Sequence, residues 1–307
     1  MTEGLVIKST GSWYKVKLSD GSTIDARIRG KLRIADIKST NPVSVGDIVF
    51  LDQEADNEYM ITDLKPRKNY IIRKSTNLSK QTHIIAANID LALLITSLKQ
   101  PKLKFGFVDR FLMTAEAYGI PAVIVFNKMD LLDEEELDYL KELSEAYQKV
   151  GYPSLHISVN DGFGIETIRE MIEGKITLFS GHSGVGKSSL LNALNATIDT
   201  RVSTVSESNE KGKHTTTFAE MFEISPKTYV IDTPGIKNFG LTDMTPDELK
   251  NYFPEMVKLS SECRFSNCIH LNEPGCAVRD AFENSELPWF RYEDYQNFYD
   301  EIKTGKF

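Results

Sequence analysis

The chain has 307 residues, a length that predicts two or three domains at about 100–200 residues each. Hydrophobic residues make up 41%, enough for ordinary globular cores, and charged residues 26%. The net charge of −8 argues against a general nucleic-acid coat, and no apolar run approaches the roughly 18 residues of a membrane span. The N-terminus lacks the basic-then-apolar pattern of a signal peptide, so we expect a cytoplasmic protein with no membrane partner.

Residues 1–70 alternate between apolar and polar side chains in short stretches, which predicts an all-β domain. The predicted strands cover residues 13–18, 23–29, 45–50 and 59–64. Several short strands in about 70 residues favour a small barrel, an OB-fold, and such barrels often bind nucleic acid. Arg27 and Arg29 share one strand face, which indicates either an RNA contact or a solvated surface.

Residues 66–87 are polar and basic and predict a linker. Beyond them, apolar strands alternate with helical patterns, which predicts a doubly wound α/β domain over residues 71–240. Its predicted strands cover residues 89–96, 122–126, 154–158, 176–179, 218–222 and 228–231. Its predicted helices cover residues 108–118, 131–150, 165–172 and 189–194, and in the second of these Leu137, Leu140, Leu143 and Tyr147 share one apolar face.

Residues 241–307 change in character and predict a separate α-helical domain. Thr245-Pro246-Asp247-Glu248 is typical of a helix start, with threonine at the cap and proline at the first position. A group of cysteines follows, and an acidic, aromatic-rich tail covers residues 289–307.

The pattern G-x-x-x-x-G-K-S lies between a predicted strand and a predicted helix, the context that a phosphate-binding loop requires. Glycines let the backbone approach a phosphate closely, and the loop N–H groups supply a positive field. The lysine is expected to reach the β- and γ-phosphates, and the last serine of the pattern to ligate Mg²⁺. The predicted nucleotide-binding residues of this loop are Gly181, His182, Ser183, Gly184, Val185, Gly186, Lys187, Ser188 and Ser189.

A second motif, N-K-x-D, directly follows the predicted strand 122–126 and consists of Asn127, Lys128 and Asp130 around a variable residue. This motif resembles the guanine-reading motif of GTPases. Its aspartate can accept hydrogen bonds from guanine N1–H and the exocyclic amine, a pair of donors that adenine lacks in that arrangement. Ser158, after the next strand, is predicted to belong to a supporting loop that packs on the base.

The sequence Asp232-Thr233-Pro234-Gly235 follows the strand 228–231 and resembles the D-x-x-G switch. Asp232 is expected to hold Mg²⁺ through a water, and the Gly235 N–H to sense the γ-phosphate. Between the two loops lies G-K-H-T-T-T, from which Thr216 or a neighbouring threonine is expected to complete the Mg²⁺ shell. Ser188, Thr216 and Asp232 are therefore the predicted Mg²⁺ ligands.

The three cysteines, Cys263, Cys268 and Cys276, lie within 14 residues and enclose His270. Three thiolates and one imidazole can close a tetrahedral Zn²⁺ site with no open position, which indicates one structural zinc per chain. The alternative is a surface histidine among small core cysteines.

The motif order is permuted, because N-K-x-D and Ser158 precede the phosphate-binding loop. Together with the barrel, G-K-H-T-T-T and the cysteine group, this order resembles the ribosome small-subunit-dependent GTPase A family, the RsgA/YjeQ type. The resemblance covers the whole chain. It implies that the protein binds the small (30S) ribosomal subunit late in maturation, contacts 16S rRNA through the barrel and zinc domain, hydrolyses GTP to GDP faster there, and then dissociates. We expect a monomer.

Ile236 occupies the position after D-x-x-G, where many GTPases place a water-orienting glutamine. His214 is the best internal candidate for that catalytic task, because an imidazole can position water near neutral pH. Its alternatives are to stabilise the switch, to contact RNA, or to leave the task to a partner. Two rival functions are a GTP-switched RNA-binding module whose hydrolysis is only a timer, and a P-loop ATPase or kinase, which N-K-x-D disfavours.

Overall fold

The computed structural model describes residues 2–29, 42–54, 58–74, 82–195, 219–232 and 244–305. Within these ranges the chain forms a β-barrel, a layered α/β sheet and a C-terminal group of helices. Among the described helices, none combines the length and the apolarity needed to cross a membrane.

The N-terminal barrel is built from β1 (Thr2–Ser9), β2 (Tyr14–Leu18), β3 (Thr23–Ile28), β4 (Ile48–Gln53) and β5 (Tyr59–Leu64). The strand order is β1-β2-β3-β5-β4, and β4 pairs back onto β1, so the five strands close as in an OB-fold. Strand β1 was absent from the sequence prediction. Ala26 is buried in the barrel core while Arg27 and, just beyond β3, Arg29 are exposed, so the predicted common face of the two arginines is confirmed.

The predicted linker at residues 66–87 is wrong, because β6 (Tyr70–Lys74) and β7 (Thr82–Ala87) form an antiparallel hairpin there. Ile71 and Ala86 are fully buried, and Ala86 pairs with Val45 of the barrel segment. The apolar residues on either side of the polar stretch form this hairpin. Their burial against the rest of the molecule stabilises the two strands, although the local sequence pattern does not predict them.

The central sheet has the parallel order β10-β9-β8-β11-β13, with β12 antiparallel at its edge. Its strands are β8 (Leu91–Thr96), β9 (Ala122–Phe126), β10 (Ser154–His156), β11 (Ile176–Ser180), β12 (Glu220–Ser225) and β13 (Thr228–Asp232). Strands β8 and β9 are buried at every residue, as expected of parallel strands covered on both faces. Strand β12 also pairs with β1, so sheet and barrel are continuous.

Four helices cover this sheet: α1 (Phe105–Ala117), α2 (Glu134–Lys149), α3 (Ile165–Ile172) and α4 (Lys187–Leu194). The predicted apolar face of α2 holds for Leu140, Leu143 and Tyr147, which are buried, but not for Leu137, which is 38% exposed. At 100° per residue, Leu137 lies about 90° from the mean direction of the other three, beyond the buried stripe.

The C-terminal part consists of a 3₁₀ helix (Pro246–Tyr252), α5 (Pro254–Leu259), a short turn (Ser260–Glu262), α6 (Ala277–Glu283) and α7 (Trp289–Lys303). Thr245 and Glu248 form the predicted capping box, although the helix that follows is 3₁₀. The hydrophobic core here includes Met113 of α1, so the C-terminal helices pack directly on the α/β domain.

Candidate nucleotide and metal sites

The predicted nucleotide-binding segments that the structure describes meet at the carboxyl edge of the parallel sheet. Asn127 follows β9, Ser158 lies just after β10, Gly181 follows β11, and Asp232 ends β13. Since adjacent parallel strands end at the same edge, the fold brings these positions together despite their spread along the chain.

The loop from Gly181 to Ser188 connects β11 to α4, and two of its glycines are required because neighbouring atoms leave no room for a side chain. Gly181 has φ +147°, and a Cβ there would lie 2.1 Å from the carbonyl oxygen of Ile95. Gly186 has φ +97°, and a Cβ there would lie 2.3 Å from Asn127 Nδ2. Larger side chains would therefore push this loop away from the sheet edge.

The Lys187 ammonium folds back along its own loop and donates to the carbonyl oxygens of Gly181 at 2.6 Å and His182 at 2.8 Å. Burial lowers the pKa of Lys187, and the nearby Asp232 carboxylate opposes that shift. The ammonium is thus held among neutral carbonyls, next to the position where a phosphate can accept from it.

Asn127 joins the two loops that are predicted to bind opposite ends of a nucleotide. Its Nδ2 donates to the carbonyl oxygen of Val185 at 2.8 Å, and its Oδ1 accepts from the N–H groups of Lys128 at 2.8 Å and Val159 at 3.2 Å. The side chain is only 4% exposed. Both ends of the amide are satisfied, so Asn127 fixes the distance between the phosphate-binding loop and the N-K-x-D loop.

The Asp130 carboxylate lies opposite Ser158, whose Oγ is 2.9 Å from Asp130 Oδ1. The same hydroxyl is 2.9 Å from Asp161 Oδ2 and accepts from the Asp161 N–H at 3.2 Å. A hydroxyl has one proton, so Asp130 and Asp161 compete for it. Asp161 was absent from the sequence prediction. Its position three residues after a serine, in a turn, was the available signal.

An open cavity of about 380 Å³ lies between these loops. Its lining residues are Asn127, Lys128, Asp130, Leu131, Val159, Asn160, Gly186 and Ser189. The lining combines a carboxylate, amide groups and apolar side chains, as expected of a site that holds a flat polar ring. Leu131, an apolar wall of this cavity, was not among the predicted site residues.

His182 of the phosphate-binding loop packs against Phe107, with ring centroids 3.8 Å apart and an interplanar angle of 33°. Phe107 belongs to the first turn of α1, where neighbouring Phe105 stacks on Phe290 of α7 at 4.4 Å. The start of α1 therefore contacts both the nucleotide loop and the C-terminal helices. No local pattern in the sequence indicates this contact.

The predicted Mg²⁺ ligands are described in part. Ser188 lies in the first turn of α4, and Asp232 at the end of β13 is paired in register with Phe179, just before the phosphate-binding loop. A hydroxyl and a carboxylate at this edge fit the oxygen ligands that Mg²⁺ prefers. Thr216, Gly235 and His214 lie outside the described residues, as does Ile236.

Cys263, Cys268, His270 and Cys276 converge on one point, with their four candidate ligand atoms all within 4.8 Å of one another. His270 Nδ1 lies 3.6 Å from Cys263 Sγ and 3.4 Å from Cys276 Sγ. A tetrahedral Zn²⁺ with bonds of about 2.3 Å to sulfur and 2.0 Å to nitrogen requires S···N separations of about 3.5 Å. The arrangement therefore fits a closed zinc site, and no other described residue is needed to complete it.

The backbone around His270 is fixed by a ring of hydrogen bonds. Glu273 accepts from the N–H groups of Ile269 at 2.7 Å and Leu271 at 2.9 Å. Tyr292 of α7 donates to the carbonyl oxygen of His270 at 2.7 Å, and Lys250 donates to that of Cys268 at 2.7 Å. Burial and the neighbouring Cys276 raise the pKa of the Cys268 thiol to about 12, although a backbone N–H opposes the shift, so without a cation this thiol keeps its proton.

Comparison with known proteins identifies family models that match the chain. The RsgA GTPase model matches residues 64–242, and the RsgA N-terminal domain model matches residues 3–61. A Bacteroides thetaiotaomicron protein named small ribosomal subunit biogenesis GTPase RsgA 2 is 48% identical over 305 residues, or 99% of this chain and 98% of the relative. A Flavobacterium johnsoniae protein named small ribosomal subunit biogenesis GTPase RsgA is 49% identical over 295 residues, or 95% of this chain and 91% of the relative.

Solved structures match over the whole fold. YjeQ from Thermotoga maritima superposes with a TM-score of 0.80 at 34% identity, covering 98% of each chain. YloQ, described as a circularly permuted GTPase, superposes with a TM-score of 0.78 at 33% identity, covering 100% of this chain and 96% of YloQ. In this chain the same permutation is visible in the sheet, where β8, β9 and β10 precede β11 in sequence and β8 lies directly beside it.

Proposed function

The chain belongs to the RsgA GTPase family, and we propose that it is a GTPase of small ribosomal subunit biogenesis that binds the 30S subunit late in its maturation. It hydrolyses GTP to GDP and phosphate faster when bound there, and then dissociates. The observation that carries the proposal is the coupling of the two nucleotide loops through buried Asn127, next to a cavity that Asp130 lines.

The base specificity follows from the chemistry of Asp130. An ionised carboxylate accepts two hydrogen bonds, and guanine presents N1–H and its exocyclic amine side by side. The Ser158 hydroxyl restrains the Asp130 carboxylate in one orientation whenever it donates to Asp130 Oδ1 rather than to Asp161 Oδ2. Adenine bound in the cavity would shield the Asp130 carboxylate from water without offering it these two donors, a loss of about 1–3 kcal/mol.

We assign binding of the nucleotide phosphates to the loop from Gly181 to Ser188. When GTP binds, the Lys187 ammonium exchanges the carbonyl oxygens of Gly181 and His182 for the β- and γ-phosphates. Ser188, Thr216 and Asp232 would hold Mg²⁺, and the bound ion would supply positive charge to the phosphates. Gly235 senses the γ-phosphate through its N–H.

We also propose that the Cys₃His group holds one structural Zn²⁺ per chain. Support comes from the S···N separations near 3.5 Å and from the burial of Cys268, His270 and Cys276. Four protein ligands leave no open position for water, so the ion stabilises the C-terminal helices and takes no part in hydrolysis.

The domain limits that we propose are 1–70 for the barrel, 71–240 for the GTPase domain and 241–307 for the zinc domain. The hydrophobic cluster of the barrel and that of the C-terminal helices, to which α1 contributes Met113, support this division. The barrel and the zinc domain contact 16S rRNA, and the protein works as a cytoplasmic monomer.

His214 is proposed to orient the attacking water, on sequence grounds alone, because Ile236 cannot do so. Accordingly, His214→Ala is expected to lose most of the acceleration by the subunit while GTP affinity is retained. An equal stimulation of the variant and the unaltered protein would instead assign the orienting group to the ribosome.

The experiment that tests the proposed function is a GTPase assay titrated with purified small subunits, with large subunits as the control. Ordering a misplaced catalytic group is worth about 100-fold in rate, so we expect a saturable increase of that order with small subunits only. A rate that does not respond to small subunits contradicts the proposal and favours the RNA-binding module. Competition with ATP separates a GTPase from an ATPase.

A further inference from the structure

The barrel carries a second cavity, of about 270 Å³, which shares no residue with the nucleotide cavity. It lies where the outer surface of β3 meets the start of β5. Its lining residues are Trp13, Ile24, Asp25, Arg27, Glu58 and Tyr59. It is smaller than the roughly 300–1,000 Å³ pockets that take whole small molecules, so its size suits a single ring or side chain.

One wall of this cavity is a flat stacked pair. The Arg27 guanidinium carbon lies 3.7 Å from the centre of the Trp13 ring, while Trp13 remains 41% exposed. The register that pairs Tyr14 with Ala26 places Trp13 directly opposite Arg27 on the outer face of the barrel. Two planar groups are thus already stacked here, and part of the indole still faces solvent. Such surfaces hold unstacked bases in proteins that bind single-stranded nucleic acid.

The charges around the cavity balance. Asp25 pairs with Lys15 at 3.1 Å, and Glu58 forms no ion pair with another described residue. Counting Lys15 and Arg27 against Asp25 and Glu58 gives zero net charge. A neutral cavity gives a cationic peptide side chain little electrostatic gain, and Arg27 repels it. A neutral ring that both donates and accepts hydrogen bonds fits better.

We propose that this cavity, the Trp13 slot, holds one unpaired guanine base of RNA. Guanine carries an acceptor, O6, beside two donor groups, N1–H and the exocyclic amine. Arg27 can donate to O6, and Glu58 can accept from N1–H and the exocyclic amine. Adenine turns an acceptor, N1, toward the carboxylate and loses that match. The inference rests on the proposed function only in that rRNA supplies the base.

Fluorescence of Trp13 tests the slot directly. The chain has two tryptophans, so the full-length Trp289→Phe variant leaves Trp13 as its sole indole. The probes are five-nucleotide single-stranded RNAs, all uridine except for a central guanosine, adenosine, uridine or abasic position. We expect saturable quenching by the guanosine probe and at least about 5-fold weaker binding of the other three.

Fluorescence anisotropy of a dye-labelled guanosine probe then separates the contribution of base stacking from that of hydrogen bonds to the edge of the base. Loss of a stacked base costs about 1–3 kcal/mol, so Trp13→Ala is expected to weaken binding by about 5- to 150-fold. Glu58→Gln is expected to reduce the preference for guanosine over adenosine to less than 2-fold while stacking persists. Tyr139→Ala is the matched control, because Tyr139 is an exposed aromatic residue on α2 and should have no effect.

Two outcomes overturn the proposal: binding that does not depend on the central base, or quenching by an arginine-rich peptide but not by the guanosine probe. Neither measurement requires GTP turnover. A chain that binds the guanosine probe but is not stimulated by small subunits refutes the proposed function alone. A chain that is stimulated but ignores the probe refutes the slot alone.

Discussion

Arg291 is fully buried between three elements of the fold, and its replacement gives the sharpest test of how the C-terminal helices are attached. Its Nη1 lies 3.0 Å from Asp109 Oδ1 on α1, and its Nε and Nη2 donate to the two carboxylate oxygens of Glu255 on α5 at 2.7 and 3.2 Å. The guanidinium also lies 4.5 Å from the centre of the Phe253 ring. One cation therefore neutralises two carboxylates that have no access to water.

We predict that Arg291→Met destabilises the attachment of the C-terminal helices by about 3–5 kcal/mol, since the carboxylates of Asp109 and Glu255 would stay buried without a counter-charge. Neutralising one carboxylate by protonation at pH 7 instead costs about 1.4 kcal/mol for each pH unit above the titration of a free carboxyl group in the unfolded chain, or about 4 kcal/mol, which is a similar amount. The triple variant Arg291→Met, Asp109→Asn, Glu255→Gln removes all three charges and should recover more than half of the loss.

The assay is urea unfolding followed by Trp289 fluorescence in a Trp13→Phe background, because Trp289 begins α7. Binding of a fluorescent guanine nucleotide, measured in parallel, reports on the remainder of the chain. A loss below about 1 kcal/mol in the single variant, or a triple variant no more stable than the single one, would refute the reasoning.

Three further predictions concern the nucleotide site, the metal site and pH. Asp130→Asn should weaken GTP binding by about 100-fold and favour xanthine nucleotides, measured by competition binding, because an amide can donate where guanine N1–H needs an acceptor. Cys268→Ser should lower bound zinc from one per chain to near zero by elemental analysis, with GTP affinity changed by less than about 3-fold. Burial and the neighbouring Asp109 raise the pKa of Asp294 to about 8. Its stabilising contribution is therefore complete below pH 4 and is lost as pH rises from about 4 to 8, so unfolding midpoints should fall over that range and Asp294→Asn should flatten the fall.

The sequence predicted the parts of the fold whose signal is local. Strands β8 and β9 are continuous apolar runs, and the two nucleotide loops follow strands in a recognisable order. Their meeting at one sheet edge followed from the parallel topology, which the alternation of strands and helices indicates. The cysteine and histidine spacing similarly identified four atoms that the fold brings within 4.8 Å.

Features that depend on distant partners were missed. Strands β6 and β7 are short apolar runs separated by a polar stretch, and their hairpin is stabilised by burying Ile71 and Ala86 against residues far away in sequence. Strand β1 contains Gly4 and an irregular register between Val6 and Lys8, which interrupts the period of two. Arg291 lies in a stretch with the composition of a solvated acidic tail, and its partner Asp109 is on another domain's helix. No pattern within the stretch itself could indicate its burial.

The C-terminal helices are connected to the proposed nucleotide site in two ways, through the chain and through packing, and the Arg291 variants distinguish them. The permutation connects β13, which ends at Asp232, to residue 244 through the segment that carries Gly235. Packing supplies the second route, since α7 is joined through Arg291 to α1, whose Phe107 contacts His182 of the phosphate-binding loop. If docking of the zinc domain orders the site through packing, Arg291→Met should keep its unstimulated turnover and lose most of its stimulation by small subunits. The charge-free triple variant should regain that stimulation, because it restores the packing without the ion pairs. Equal stimulation of all three proteins at saturating subunit would assign the coupling to the covalent connection alone.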